Sequence, residues 1–271
     1  MTEQDLSLVR VLYLGLSVGV IVFFLQLEAA SPRVPFDNQR HRWWHVGRNL
    51  GLLLLVILFA DLVVGEALLQ AHRVLLHSPL TGLGAGSWPL GAQIVLGFLA
   101  SDLVEYGFHW ASHRVGWLWR LHAVHHMDPH LDVTSAGRAH PLEISLHVAL
   151  KLALYALLGL PLWIEGVRAI LHNSLLFVQH ANYLYPPWLE RLRWLLVTPA
   201  MHRLHHHRHA PHINRNYGFV FPWWDHLFGT YQTPDPVAAS SMGLPGCDGE
   251  DWQTLSGMLM APFRMVGGPE R

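Results

Sequence analysis

The sequence predicts an all-α fold: a polytopic membrane helical bundle of about four to five membrane helices, with a histidine-rich helical cap on the cytoplasmic side. Three observations predict it. The 271 residues are 51% hydrophobic and 14% charged, with a mean hydropathy of +0.24, whereas an ordinary soluble domain has roughly 25% charged residues. Five apolar segments stand out, at 11–27, 50–69, 90–108, 144–160 and 162–180. Finally, 17 of the 21 histidines lie between His109 and His226.

Each segment has its own justification. A spanning helix needs about 20 residues, with about 17 as the lower limit. Before the first segment, Glu3 and Asp5 stand where a signal peptide would carry basic residues, and the run 11–27 is long for a signal core, so it reads as a retained anchor. The second carries Asp61 and Glu66, whose partners the sequence does not name. The third carries Asp102, Glu105, His109 and His113 at spacings of 3, 4 and 4, one polar stripe along a helix. Ionisable groups in a membrane helix face a bundle interior or a cavity. The fourth and fifth are of marginal length and meet at Gly159-Leu160-Pro161, a turn signal that makes them a tight helical hairpin.

Arginines set the orientation, because positive charge accumulates in cytoplasmic loops. Arg33, Arg40, Arg42 and Arg48 follow the first segment, and only Arg73 follows the second. Arg114, Arg120 and Arg138 follow the third, and Arg191, Arg193, Arg203, Arg208 and Arg215 follow the fifth. This places the N-terminus outside and all the histidine clusters at the cytoplasmic face. The organisation expected is 1–90 for N-terminal membrane helices and loops, 91–235 for the histidine-bearing domain and 236–271 for a C-terminal tail.

Several classes of function are excluded. A formal net charge of −1 gives no footing for nucleic acid. The single cysteine, Cys247, rules out a disulfide framework and a cysteine-ligated iron–sulfur cluster. His-Glu-x-x-His and Glu-x-x-His are both absent, which removes the usual zinc-protease pattern and the carboxylate-rich di-iron bundle. Gly82-Leu-Gly84-Ala-Gly86 lacks the spacing of a dinucleotide fingerprint and reads as a turn.

What remains is three clusters: His109-x-x-x-His113, His122-x-x-His125-His126 and His202-x-x-His205-His206. Imidazole is the commonest neutral ligand for transition metals. Residues three or four apart share a helix face, so each cluster can aim its rings at one point. Eight donors exceed what one four-coordinate zinc uses and fit two metal ions. His41, His45, His72, His77, His130 and His147 read as structural, and His207, His209 and His212 as either solvated or supporting the third cluster.

These motifs resemble the integral-membrane fatty acid hydroxylase/sterol desaturase superfamily, its sterol-desaturase-like and alkylglycerol-monooxygenase-like branches above all. The resemblance is reinforced by Arg138-Ala-His140-Pro141-Leu-Glu143, Gln179-His180-Ala-Asn182, Asn216-Tyr217-Gly218 and Trp224-Asp225-His226-Leu-Phe-Gly229-Thr230. It implies two iron ions in a non-haem di-iron centre that hydroxylates or desaturates a lipid with O2. It would assign iron to His109, His113, His122, His125, His126, His202, His205 and His206, with His180 as a further candidate and His140 as either a ligand or a group that supports one. Glu143 would orient a ligand, and Asn216 and Asp225 would support the third cluster. With no cytochrome b5 segment in the sequence, electrons would come from a separate donor of ferredoxin or cytochrome b5 type. The location implied is the bacterial inner membrane or the endoplasmic reticulum. A histidine-rich metal transporter or sensor and a zinc-dependent membrane hydrolase are the alternatives. Because protons compete for imidazole, metal occupancy is expected to fall as pH drops toward about 6.5 and below.

Overall fold

The computed structural model describes residues 3–78, 83–209, 211–234 and 241–265. Among them there is no strand, only two isolated bridges, Pro32 with Tyr183 and His207 with Met242. The main helices are α1 (Glu3–Ala30), α2 (Gln39–Phe59), α3 (Glu66–Leu76), α4 (Leu90–Ser112), α5 (Gly116–His126), α6 (Pro141–Leu158), α7 (Leu162–His180) and α8 (Pro199–His205). Three short helices follow: α9 (Trp223–Leu227), α10 (Glu250–Gln253) and α11 (Leu255–Arg264).

Among the described residues, three helices are long and apolar enough to cross a membrane: Val11–Ala30, Gln39–Leu76 and Pro141–Leu158. This is fewer than the four to five expected. The physical reason lies in α4 and α7, which are long but carry buried charge. Glu105 of α4 receives a bidentate pair from Arg168 of α7 at 2.8 and 2.9 Å, and Lys151 of α6 adds a contact at 2.9 Å. Glu165 takes Arg168 and the Ser101 hydroxyl. The polar stripe of α4 therefore faces the bundle interior, with Asp102, Glu105, His109 and His113 each at most 2% exposed.

The second span is a 38-residue helix in which α2 and α3 join through a π-helical turn, Ala60–Gly65. At ~1.5 Å per residue it is about 57 Å long, well beyond a hydrocarbon core of about 30 Å. Its extra length is the polar N-terminal half, which docks into the cap: His45 bridges Asp128 at 2.9 Å and Asp132 at 3.1 Å. At the opposite end of the bundle, Glu66 pairs with Gln70 at 2.7 Å. There the α6–α7 turn forms as the sequence suggests, with Gly159 at φ +68°. It packs so closely on the loop before α4 that a Cβ on Gly86 would lie 2.5 Å from the Gly159 carbonyl oxygen. Within the Gly82–Gly86 turn, Gly82 lies outside the described residues, and Gly84 adopts φ +53°.

The chain ends of α1, α4 and α7 and the starts of α2 and α6 all converge on the cap. Trp43, Trp44, Trp110, Trp117, Trp188, Trp194 and Trp223 are exposed there, the distribution expected of an aromatic girdle at a membrane–water boundary. The segment read as a tail is partly built into the cap. Met258 and Ala261 of α11, with Leu244 and Cys247, pack on Trp119 and Val124 of α5. Gln253 links Arg138 to the Met127 and Cys247 carbonyls.

Candidate metal centre

Nine histidines converge in the cap and divide into two groups. His109, His113, His122, His126 and His205 form one; His125, His180, His202 and His206 form the other, and the ligating atoms within each lie within 4.8 Å of one another. All nine side chains are buried, His125 the most exposed at 8%. The groups abut: the rings of His126 and His206 stack with centroids 4.5 Å apart.

The sequence clusters do not map one to one onto these groups. At 100° per residue, positions i and i+4 lie 40° apart on a helix while i+3 falls to the other side of i. His122 and His126 therefore go to the five-histidine group and His125 to the other. In mirror fashion, His202 and His206 join the four-histidine group while His205 crosses over. A whole cluster aims at a single point only for His109 and His113.

Outer contacts fix the rings. The Nδ1 of His109 donates to the Tyr217 carbonyl at 2.8 Å, that of His125 to Arg138 at 3.0 Å, that of His180 to Leu176 at 2.8 Å and that of His205 to Arg215 at 2.7 Å. His122 Nδ1 donates to Glu143 Oε1 at 2.6 Å. A carbonyl only accepts, so each Nδ1 holds the proton and each Nε2 presents a bare lone pair. The Nε2 atoms of His125 and His180 then face each other at 3.2 Å, an arrangement of two acceptors that a shared cation stabilises. The Nε2 atoms of His109 and His205 are buried with no hydrogen-bond partner. Outward-anchored Nδ1 and inward-facing Nε2 is the usual arrangement of metal-ligating histidines. The donor set thus fits a pair of transition-metal ions.

The rings are also held neutral. Burial and the neighbouring His122 push His125 down to about 4, and burial pushes His205 down to about 3. Burial and repulsion from adjoining rings hold His126, His202 and His206 well below the usual imidazole value. The site therefore resists protonation to lower pH than an exposed cluster near 6.5 would.

The loop motifs carry the anchoring. Asn216 sits at φ +55°, a left-handed conformation that asparagine tolerates, and its side chain clasps the Gln232 backbone at 2.8 and 2.9 Å. Asp225 accepts from the Tyr217 and Gly218 amides, each at 2.8 Å, and from the Thr230 hydroxyl at 2.6 Å. A Cβ on Gly218 would lie 2.8 Å from the Phe221 carbonyl oxygen and 2.9 Å from Asp225, which explains Asn-Tyr-Gly. The support falls on Tyr217, and so on His109, as well as on Arg215, which holds His205 of the third cluster. Asp102 braces the same loop through the Val220 and Phe221 amides and the Trp224 indole.

Some expectations place differently. His140 stands outside both groups: its Nδ1 caps α6 by accepting from Leu142 at 3.2 Å, and its Nε2 lies 3.2 Å from the Leu259 carbonyl. His207 and His212 also lie outside both groups and contact each other at 4.8 Å, and His212 meets Gln232. His209 lies against His207. The network of His45, Asn49, Asp128, Asp132, Ser135 and Arg138 behind His125 was not legible in the sequence, because its members are 79 to 89 residues apart across α2 and the cap. Burial and the partners His45 and Arg138 oppose each other at Asp128, and the partners prevail, holding its carboxyl well below the usual range.

Comparison with known proteins agrees with this geometry. An ornithine lipid hydroxylase of Rhizobium tropici is 34% identical over 164 residues, 59% of this chain and 47% of that protein. Human alkylglycerol monooxygenase is 31% identical over 153 residues, 55% of this chain and 32% of its own length. A cholesterol 25-hydroxylase-like protein of Caenorhabditis elegans is 29% identical over 140 residues, 50% of this chain and 43% of that protein. The matches thus span less than half of each of these relatives. No solved structure matches. A family model described as fatty acid hydroxylase matches residues 94–230, just over half of the 271 residues and the stretch that holds all nine converging histidines, so the chain belongs to the fatty acid hydroxylase family.

Proposed function

We propose that this chain is a membrane-embedded lipid hydroxylase whose nine converging histidines hold two iron ions. The observation that carries the reading is the inward lone-pair arrangement of the two histidine groups, built on the ends of α4 and α7 and on the short helices α5 and α8. When bound, the iron pair supplies the oxidising power, drawn from O2, that an unactivated C–H bond requires. One oxygen atom enters the lipid as a hydroxyl group and the other leaves as water, with two electrons and two protons supplied by a separate ferredoxin-type or cytochrome b5-type donor.

The chain's own residues orient and exclude. Glu143 and the Tyr217, Arg138, Leu176 and Arg215 carbonyls fix the ring tautomers. The buried setting keeps bulk water from the reacting centre. The relatives' names, hydroxylase and monooxygenase, favour oxygen insertion over desaturation. The arginine distribution supports a centre at the cytoplasmic face, in the inner membrane of a bacterium or the endoplasmic reticulum of a eukaryote. Clustering at one end of the bundle, rather than along a path through it, disfavours a metal transporter.

The test is incubation of the iron-loaded protein with a chemical or protein reductant, a panel of membrane lipids and 18O2. Label in a hydroxylated lipid is the expected result. Absence of lipid-dependent O2 consumption across the panel would count against the proposal.

A further inference from the structure

Beside the five-histidine group an open cavity of about 560 Å³ is lined by Trp110, Arg114, Asn214, Arg215, Phe228 and Thr230. Its size suits a ligand-binding cleft. Its floor is the outer shell of the histidine centre. Arg114 follows His113 directly, Asn214 lies beside the His113 ring, and the Arg215 carbonyl anchors His205. An aromatic column leads inward from the rim: Phe228 stacks on Tyr106 at 5.4 Å, Tyr106 meets Tyr217 at 6.3 Å, and Tyr217 meets His113 at 5.2 Å.

The two arginines are the cavity's charge. Arg215 donates to the Gly229 carbonyl at 3.0 Å, and the Arg114 guanidinium lies 5.9 Å from the Trp110 ring centre. No carboxylate pairs with either among the described residues, so the cavity presents positive charge without a protein counter-ion. Its outer rim is apolar: Trp110 is 43% and Phe228 56% exposed. Because α4 leaves the bundle here, this rim sits where the exposed tryptophans mark the membrane boundary. Paired guanidinium groups match phosphate and carboxylate oxygens, while exposed indole and phenyl rings suit acyl chains at an interface.

We propose that this cavity is the headgroup site for a membrane lipid bearing an oxyanion, phosphate or carboxylate, held by Arg114 and Arg215 with its chain leaving past Trp110 and Phe228. This rests on the lipid hydroxylase reading and narrows its substrate class to lipids with an anionic headgroup group, presented to the centre by their headgroup-proximal carbons.

The experiment uses the full chain in phosphatidylcholine nanodiscs, with a fluorescent short-chain phosphatidate as probe and the matched diacylglycerol as control. Phosphatidate is expected to bind well above diacylglycerol. Arg114→Gln and Arg215→Gln should each weaken it about tenfold, the loss of one charge-assisted contact, with diacylglycerol unchanged. Arg114→Lys should recover part of the loss; Arg114 is exposed, so this pair of variants reads binding rather than folding. Wild-type phosphatidate affinity in the double glutamine variant would overturn the proposal, as would equal competition by diacylglycerol. Inorganic phosphate competing as well as phosphatidate would overturn the lipid assignment in favour of a free-anion site. Metal content measured on the same samples separates the two readings: the arginine variants should keep it, and a wild type without bound metal would sink the hydroxylase reading independently of the phosphatidate result.

Discussion

Replacing Glu143 should weaken one metal ion and spare the other. Its Oε1 accepts from His122 Nδ1 at 2.6 Å, with both side chains no more than 7% exposed, and His122 belongs to the five-histidine group. A charge-assisted hydrogen bond is worth about 1.5–3 kcal/mol, roughly twice a neutral one. Glu143→Gln keeps the acceptor and loses only its charge, a cost of about 1.4 kcal/mol, or roughly tenfold in metal affinity. Glu143→Ala removes the acceptor and should cost nearer hundredfold. The assay is chelator competition against iron-loaded protein, resolving two ions per chain. The expected curve has one ion released early and the other at its wild-type position. Equal weakening of both ions, or none, would refute the division of the histidines into two groups braced by separate contacts.

The other predictions can be taken together. Because the folded values of His125 and His205, about 4 and about 3, lie below the ordinary imidazole value, the stability they contribute is complete above about pH 6.5 and is lost as pH falls through those values. For His125 in the metal-free protein this amounts to about 3 kcal/mol, and unfolding followed between pH 7 and pH 3 should show it, with iron retained well below 6.5. His45→Ala should cost about 3 kcal/mol by leaving buried Asp132 without its charged hydrogen-bond partner and Asp128 with Arg138 as its remaining cation, and should loosen the four-histidine ion through Arg138, whose carbonyl holds His125; denaturant unfolding and metal content check the two effects. Arg168→Met should destabilise the bundle by about 3 kcal/mol in detergent by removing the bidentate partner of buried Glu105 and leaving Lys151 to serve both Glu105 and Glu165, and Glu105→Gln on the same chain should restore part of the loss. His140→Ala should leave the metal count unchanged and cost about 1 kcal/mol as a lost helix cap; a lost ion would return His140 to the ligand set.

How far the sequence could be read depended on distance along the chain. Short-range periodicity exposed the three clusters, the α4 stripe and the Gly159 turn, because each is set within one or two helical turns. The crossing of His125 and His205 between groups was encoded in the same i+3 spacing, but it became visible only once α5 and α8 were seen to face each other. His140 enters as a ligand or a supporting group through the family motif Arg138-Ala-His140-Pro141-Leu-Glu143; its ring instead caps the start of α6. Long-range partners such as Arg168 for Glu105 and Asp128 for His45 leave no local signature. They also explain the count of membrane-length helices, since buried ion pairs lower the hydropathy of α4 and α7 without exposing them.

The most direct measurement is metal content per chain on protein purified without chelators, compared across wild type, His109→Ala and His125→Ala. Two irons in the wild type, with each variant losing mainly the ion of its own group, is the expected result. A single zinc in the wild type, or metal content unchanged in both variants, would contradict the paired-iron centre.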